Sequence, residues 1–190
     1  MFGRKRPGGS GGKATLSRRA GIFIGSLAVV LTTGLTGTTT ASAAGYYEAL
    51  FPAGETYRIS QGPGGSYSHL DYYNRYAWDI ALPANYEVTA TQAGTIVRSD
   101  WYGTSGIEVM IRHPNGLCSH YIHLNRSFYE PGDWVPQGRI VGWSGSTGSS
   151  TAPHLHYGVI DCNTRQSLPS TLEGWTPGTG ALLTSSNYKA

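Results

Sequence analysis

Short apolar segments alternate with clusters of turn-forming residues along most of the chain, and the three- and four-residue spacing of a helix is nearly absent. The pattern predicts a mainly β protein with strands over 76–82, 87–91, 94–99, 107–112, 117–123, 139–142 and 154–161. His113-Pro114-Asn115-Gly116 predicts a tight hairpin, with Asn-Gly accepting the positive φ of a type I′ turn. Glu130-Pro131-Gly132-Asp133 predicts a second turn. The segment 144–153, SGSTGSSTAP, has little apolar surface to bury and is expected as an exposed loop walling a groove. Beyond Asn163 the chain is rich in Ser, Thr and Gly and is expected to pack through Leu168, Leu172, Trp175, Leu182 and Leu183.

The first 43 residues break this pattern. Arg4, Lys5, Arg6, Lys13, Arg18 and Arg19 precede an apolar stretch from Gly21 to Leu31, and Ala41-Ser42-Ala43 follows with the small residues a signal peptidase accepts. We expect an export signal over 1–43, cleavage before Ala44, and a single domain over 44–190 that is secreted and cell-wall associated, acts as a monomer and keeps no stable membrane association. A membrane span needs about 20 consecutive apolar residues, more than this stretch supplies. Ser17-Arg18-Arg19 resembles a twin-arginine signal, so the export route stays open.

Charge reads differently once these residues are set aside. From Ala44 onward eight Lys and Arg face eleven Asp and Glu, and the basic residues are scattered singly. Nucleic-acid binding, which needs clustered cations against phosphates, is excluded as an expectation. Two cysteines, Cys118 and Cys162, in an exported chain are expected as a disulfide.

Four of the six histidines fall in two short motifs: His120-Tyr121-Ile122-His123 and His154-Leu155-His156. On a strand, His154 and His156 project from one face, a spacing suited to one metal or one substrate. His120 and His123, three apart, fall on opposite faces of a regular strand. His113 and His120 are therefore read as structural.

Several segments carry a family resemblance. Gly145-Ser146-Thr147-Gly148, the Ser/Thr stretch, and Pro153-His154-Leu155-His156-Tyr157 resemble the signature of lysostaphin and LytM type zinc endopeptidases. Tyr121-Ile122-His123-Leu124, the run from Pro131 to Gly142, and Leu82-Pro83 with Val88-Ala90 and Gly94-Ile96 resemble further family segments in the same order, though Asn85 replaces a usual Gly. The resemblance covers about 59–159. It implies a mainly antiparallel β fold, a barrel-sandwich hybrid with its active site in a groove on one sheet, and cleavage of peptide bonds in bacterial peptidoglycan, in stem peptides or cross-bridges.

Carried over by motif, the resemblance implies Asp79 and His156 as ligands of one zinc ion. A catalytic zinc takes three protein ligands and keeps a fourth position open. The third is assigned to His69, because Ser68-His69 followed by Tyr76-Ala77-Trp78-Asp79 resembles a long-insertion variant of the family; the competing reading leaves His69 a surface loop residue, with Asp71 and Asn74 as nearby substitutes. His123 and His154 correspond to the family's non-ligand catalytic pair, one as base and one as acid, with the order open. A different class of function, an inactive wall-binding or activator module of the same fold, would be marked by missing ligands. Convergence of the strands bearing His123 and His156 on one metal would bring Cys118 opposite Cys162, with a bulge or irregular strand end to reconcile their faces.

Overall fold

The computed structural model describes residues 46–188, and the expected export signal over 1–43 lies outside them. Regular structure among the described residues comprises β1 (Tyr46–Tyr47), β2 (Thr56–Gln61), β3 (Trp78–Ile80), β4 (Glu87–Thr89), β5 (Gly94–Trp101), a 3-10 turn (Gly103–Ser105), β6 (Ile107–Arg112), β7 (Leu117–Leu124), β8 (Arg126–Ser127), β9 (Trp134–Val135), β10 (Ile140–Trp143), β11 (Leu155–Asp161), β12 (Thr171–Leu172) and β13 (Leu182–Thr184). Eight strands form one antiparallel sheet in the order β13-β2-β3-β11-β7-β6-β5-β9. A smaller antiparallel sheet, β4-β10-β8, packs against it, and β1 pairs with β12 in parallel. This is the mainly antiparallel β architecture that the sequence predicts.

Alternation explains which face is which. Ile59, Trp78, Ile80, Val109, Ile111, Tyr121, Leu155, Tyr157 and Val159 leave the large sheet on one side and meet Val88 and Val141 of the small sheet in the main core. The polar tips buried with them are satisfied, as burial requires. Thr91 joins the hydroxyls of Tyr121 and Tyr157, and His113 bridges the Ala93 carbonyl and Ser119. His113 is thus the structural residue expected.

The structure corrects several expectations. β2 was not foreseen, because Thr-Tyr-Arg-Ile-Ser-Gln has only two apolar positions and of these Ile59 alone is fully buried. The hairpin at 113–116 is not type I′. Of the two central residues that turn needs at positive φ, Asn115 is not left-handed and Gly116 alone is, at φ 83°; the turn closes one residue earlier, Gly116 N–H donating to the His113 carbonyl. The segment 144–153 is exposed only in its second half; Ser144 and Gly145 are buried. In the tail, Leu172 and Leu183 are buried, but Trp175 and Leu182 are exposed, and the anchoring is polar: Asn187 donates to the carbonyls of Ala49 and Ala90.

The largest correction concerns β7. Cys118, His120 and Ile122 lie on the face away from the main core, and regular alternation would send His123 into it. Instead His123 takes a positive φ of 65°, and Ile122-His123 stand opposite the single residue Glu108 in a bulge. His123 therefore returns to the side of His120, and Leu124 enters the core. The same irregularity removes the conflict over the cysteines. The register pairs Cys118 with Ile160, not Cys162, on the face that carries His156, and Cys162 reaches it from just beyond the strand end.

The Cys118–Cys162 bond closes a separation of 44 residues. Replacing both cysteines with Ala is expected to cost about 2–4 kcal/mol of stability, mainly through the entropy of the unfolded chain. Denaturant melts of the oxidised protein and the double variant check this; a difference below about 1 kcal/mol would contradict it.

Candidate metal centre

Asp79 and His156 face each other as direct partners on β3 and β11, with Trp78, Ile80, Leu155 and Tyr157 beside them turned into the core. Nδ1 of His156 lies 2.8 Å from Oδ1 of Asp79. His69 arrives from the loop joining β2 to β3 and is fully buried. Its Nε2 lies 3.3 Å from the same Asp79 oxygen and 3.4 Å from Nδ1 of His156. Donors bound at 2.0–2.1 Å around a tetrahedral ion sit about 3.3 Å apart, so these three atoms fit one metal ion with little adjustment.

The loop bearing His69 is held by its own polar groups. Asp71 accepts the N–H groups of Tyr73 and Asn74 through Oδ1 and the Asn74 amide through Oδ2, a tight turn paid for locally. Asp71 and Asn74 are thus occupied with each other, while Nδ1–H of His69 donates to the Gly62 carbonyl at 3.0 Å and leaves Nε2 to face Asp79. A residue that sequence reasoning missed ties these parts together. Gln61, shifted by an irregularity in β2 so that it pairs with Asp79, donates to Oδ2 of Asp79 and to Ser68, and accepts from the N–H groups of Tyr67 and Ser68. No motif marked it; the only sequence signal is a polar residue where β2 would bury an apolar one.

Electrostatics separates the charges. Burial acts to raise the Asp79 carboxyl, but hydrogen bonds from His156 and His69 together carry it well below the usual carboxylate range. Burial pulls His156 down to about 4 against the attraction of Asp79. At neutral pH the site holds an ionised carboxylate and a neutral His156, the protonation states a cation requires.

His123 and His154 stand on one side of this cluster, ring centres 4.8 Å apart. Nδ1–H of His123 donates to the Thr147 carbonyl at 2.8 Å, and Nδ1–H of His154 donates to the Ala152 carbonyl at 2.9 Å. Each ring thereby keeps the Nε2 lone pair for the groove, and that of His154 lies 3.8 Å from Asp79. Burial lowers the His123 pKa, the Thr147 carbonyl resists, and the neighbouring His154 adds to the lowering. The buried half of 144–153 matters here, because Thr147 also donates its hydroxyl to the Leu124 carbonyl and fixes the acceptor of His123. Gly148, at φ 73°, lets this loop touch the 3-10 turn; a Cβ there would come within 2.4 Å of backbone atoms of Gly106 and Thr104.

Asp79, His123, His154 and His156 line one groove of about 930 Å³, and His69 is buried behind it with its Nε2 against Asp79. Tyr67, Ser68 and Tyr73 form one wall; Tyr102, Ser105 and residues 149–153 form the other. His120, expected as structural and remote, also lines it.

The sequence profile of Peptidase family M23 matches residues 73–168. Lysostaphin of Staphylococcus simulans is 38% identical over 96 residues, which are 50% of this chain and 18% of that protein. Peptidoglycan DD-endopeptidase ShyC of Vibrio cholerae is 37% identical over 79 residues, 42% of this chain and 18% of that one. Among solved structures, the catalytic domain of the prophage-encoded M23 protein EnpA from Enterococcus faecalis superposes with a TM-score of 0.52 and 26% identity, covering 65% of this chain and 94% of that one. The matched segments span 18–24% of the length of the first curated relatives. With its family profile running from the His69 loop's end through β3, β7 and β11, the chain belongs to peptidase family M23.

Proposed function

We propose that this protein is an exported zinc-dependent endopeptidase that hydrolyses peptide bonds of bacterial peptidoglycan, in stem peptides or cross-bridges. The observation that carries the reading is the meeting of Nε2 of His69, Oδ1 of Asp79 and Nδ1 of His156 beside two imidazoles whose Nε2 atoms face the same groove. Relatives named as peptidoglycan endopeptidases support the substrate class. The nitrogen-rich donor set, two imidazoles and one carboxylate, favours zinc over calcium or magnesium, which prefer all-oxygen sites.

His69, Asp79 and His156 would hold one zinc ion, which when bound polarises a carbonyl and lowers the pKa of water to about 7. Gln61 holds Oδ2 of Asp79, leaving Oδ1 for the metal. His123 and His154 supply the proton traffic: one takes a proton from the attacking water at Nε2, and the other gives one to the departing amine. Their Nδ1–H bonds to backbone carbonyls keep the rings oriented through both steps. An extended peptide suits a groove lined by both aromatic rings and polar side chains, Tyr67, Tyr73 and Tyr102 among the former and Ser68 and Ser105 among the latter.

Incubating the purified protein with cell walls, with and without chelator, and sequencing the released fragments by mass spectrometry tests this function. Release of free amino groups that chelator abolishes and zinc restores is expected; intact stem peptides and cross-bridges throughout would overturn it.

Truncation separates the two groups of residues. His156→Ala and Asp79→Ala are expected to purify with little zinc and little activity, because one of three protein ligands is gone. His123→Ala and His154→Ala are expected to keep near-stoichiometric zinc and lose about 100-fold or more in rate. His69→Ala belongs with the first group; retention of both zinc and activity would exclude it as a ligand. Metal content by mass spectrometry, beside turnover, distinguishes the classes.

The metal-free protein should weaken in acid. His156, at about 4, and His123 and His113, also lowered by burial, hold fewer protons folded than unfolded, where imidazole titrates near 6.5. Their contribution is full above about 6.5 and falls as pH drops toward 4, and Asp79, also lowered, acts in the same direction at lower pH. Urea midpoints of chelator-treated protein should fall steadily from pH 7 to 4.5, and a flat profile would show that these groups are not neutral and buried.

A further inference from the structure

Three of the four histidines at the centre have their orientation fixed by a backbone carbonyl on the nitrogen away from the site. His156 is the exception. Its Nδ1 faces Asp79, so its Nε2 must carry the hydrogen when Nδ1 binds a cation, and that Nε2 is buried with no hydrogen-bond partner. A ligand imidazole ordinarily donates this hydrogen to an acceptor that sets its tautomer and direction.

The neighbouring polar side chain is His120. On the antiparallel sheet His156 pairs with Ile122 and His120 with Gly158, which makes the two histidines diagonal neighbours on the groove face, with ring centres 5.7 Å apart at 76°. His120 is 3% exposed, and both of its ring nitrogens lack hydrogen-bond partners. Its Nδ1 points toward β6, 3.6 Å from Oε1 of Glu108. Its Nε2 points the other way, over β11, where a Cβ on Gly158 would lie only 2.8 Å from it. Glu108 is fully buried and held at 2.7 Å by Nη2 of Arg165, whose guanidinium also covers the Tyr102 ring. The anionic neighbour favours hydrogen on Nδ1 of His120 and leaves Nε2 as an acceptor on the side of His156.

We propose that His120 is a positioning residue: anchored by Glu108 and Arg165, it accepts the Nε2–H of His156, directly after a small ring movement or through one water, and fixes that ligand for the metal. Gly158 leaves the space for the ring. The polar row then runs Gln61, Asp79, His156, His120, Glu108, Arg165 across five strands and the adjoining loop.

The proposal rests on His69, Asp79 and His156 being the metal site, and zinc affinity measured by competition with a chromogenic chelator keeps the two apart. A wild-type chain that binds no zinc sinks the metal-site reading itself. If the wild type binds, His120→Phe, which fills the space without an acceptor, is expected to lose roughly 10- to 100-fold in zinc affinity while keeping its circular dichroism. His120→Gln, which restores an acceptor, should recover most of that loss. Unchanged affinity in His120→Phe, or an equal loss in both variants, overturns the proposal. Should His120→Phe not fold, imidazole nitrogen spectra of the zinc-loaded wild type decide: His120 protonated on Nδ1 alone supports it, and His120 protonated on Nε2 overturns it.

Discussion

The pairing of Asp79 with His156 is the constraint on which the rest of this structure depends. A carboxylate this deep in a groove loses hydration and must be compensated by donors or cations. The compensation is set by strand register, because Asp79 and His156 are partners across β3 and β11, and Gln61 is the partner of Asp79 across β2 and β3. A slip of one residue would send Asp79 into the core and bring Trp78 or Ile80 into the groove. The apolar side chains that stabilise the sandwich therefore also hold the polar row in place.

A regular sheet alone would not assemble the groove. Alternation puts His120 and Ile122 on the groove face and would turn His123 away, and the bulge opposite Glu108 reverses that for one residue. A non-glycine residue at positive φ is disfavoured, and such residues are found where surrounding structure over-determines them. Here the determination is visible: the His123 ring is fixed by the Thr147 carbonyl, and Thr147 is fixed in turn by the Leu124 carbonyl one residue past the bulge. The loop and the strand distortion hold each other.

This division decides what could be read from sequence. All seven expected strands match observed ones to within two residues at each end, the one at 76–82 losing two at both ends to leave Trp78–Ile80; all seven are marked by β-branched and aromatic residues between turns. His154-Leu155-His156 was legible because period-two spacing maps directly to one face. The bulge was not, since nothing in Tyr121-Ile122-His123-Leu124 marks a positive φ, and so His120 was assigned to the wrong face. Gln61 was illegible for another reason: its partners are side chain and backbone atoms in a loop whose path no periodicity describes. The hairpin differs because Pro114, with φ already set for the second position of an ordinary turn, draws the turn one residue earlier than Asn115-Gly116 alone suggests.

On the reading of His123 and His154 as the proton-handling pair, their mutual geometry limits how much charge they can carry together. Both rings hold Nδ1–H against neutral carbonyls, not carboxylates, so neither imidazolium is stabilised by a dedicated anion. With centres 4.8 Å apart, charge on His154 lowers His123, beyond the lowering that burial already imposes. Two protons on the pair are thus disfavoured. Such a pair suits hydrolysis of an amide, in which one proton must leave the attacking water and one must reach the departing nitrogen. Burial weakens His123 as a base relative to a free imidazole. Asp79 lies 3.8 Å from Nε2 of His154 and also attracts charge to His123, so both rings share the field of one carboxylate. On this reading that common carboxylate supports an imidazolium on either ring, so either can make the first transfer and the other the second.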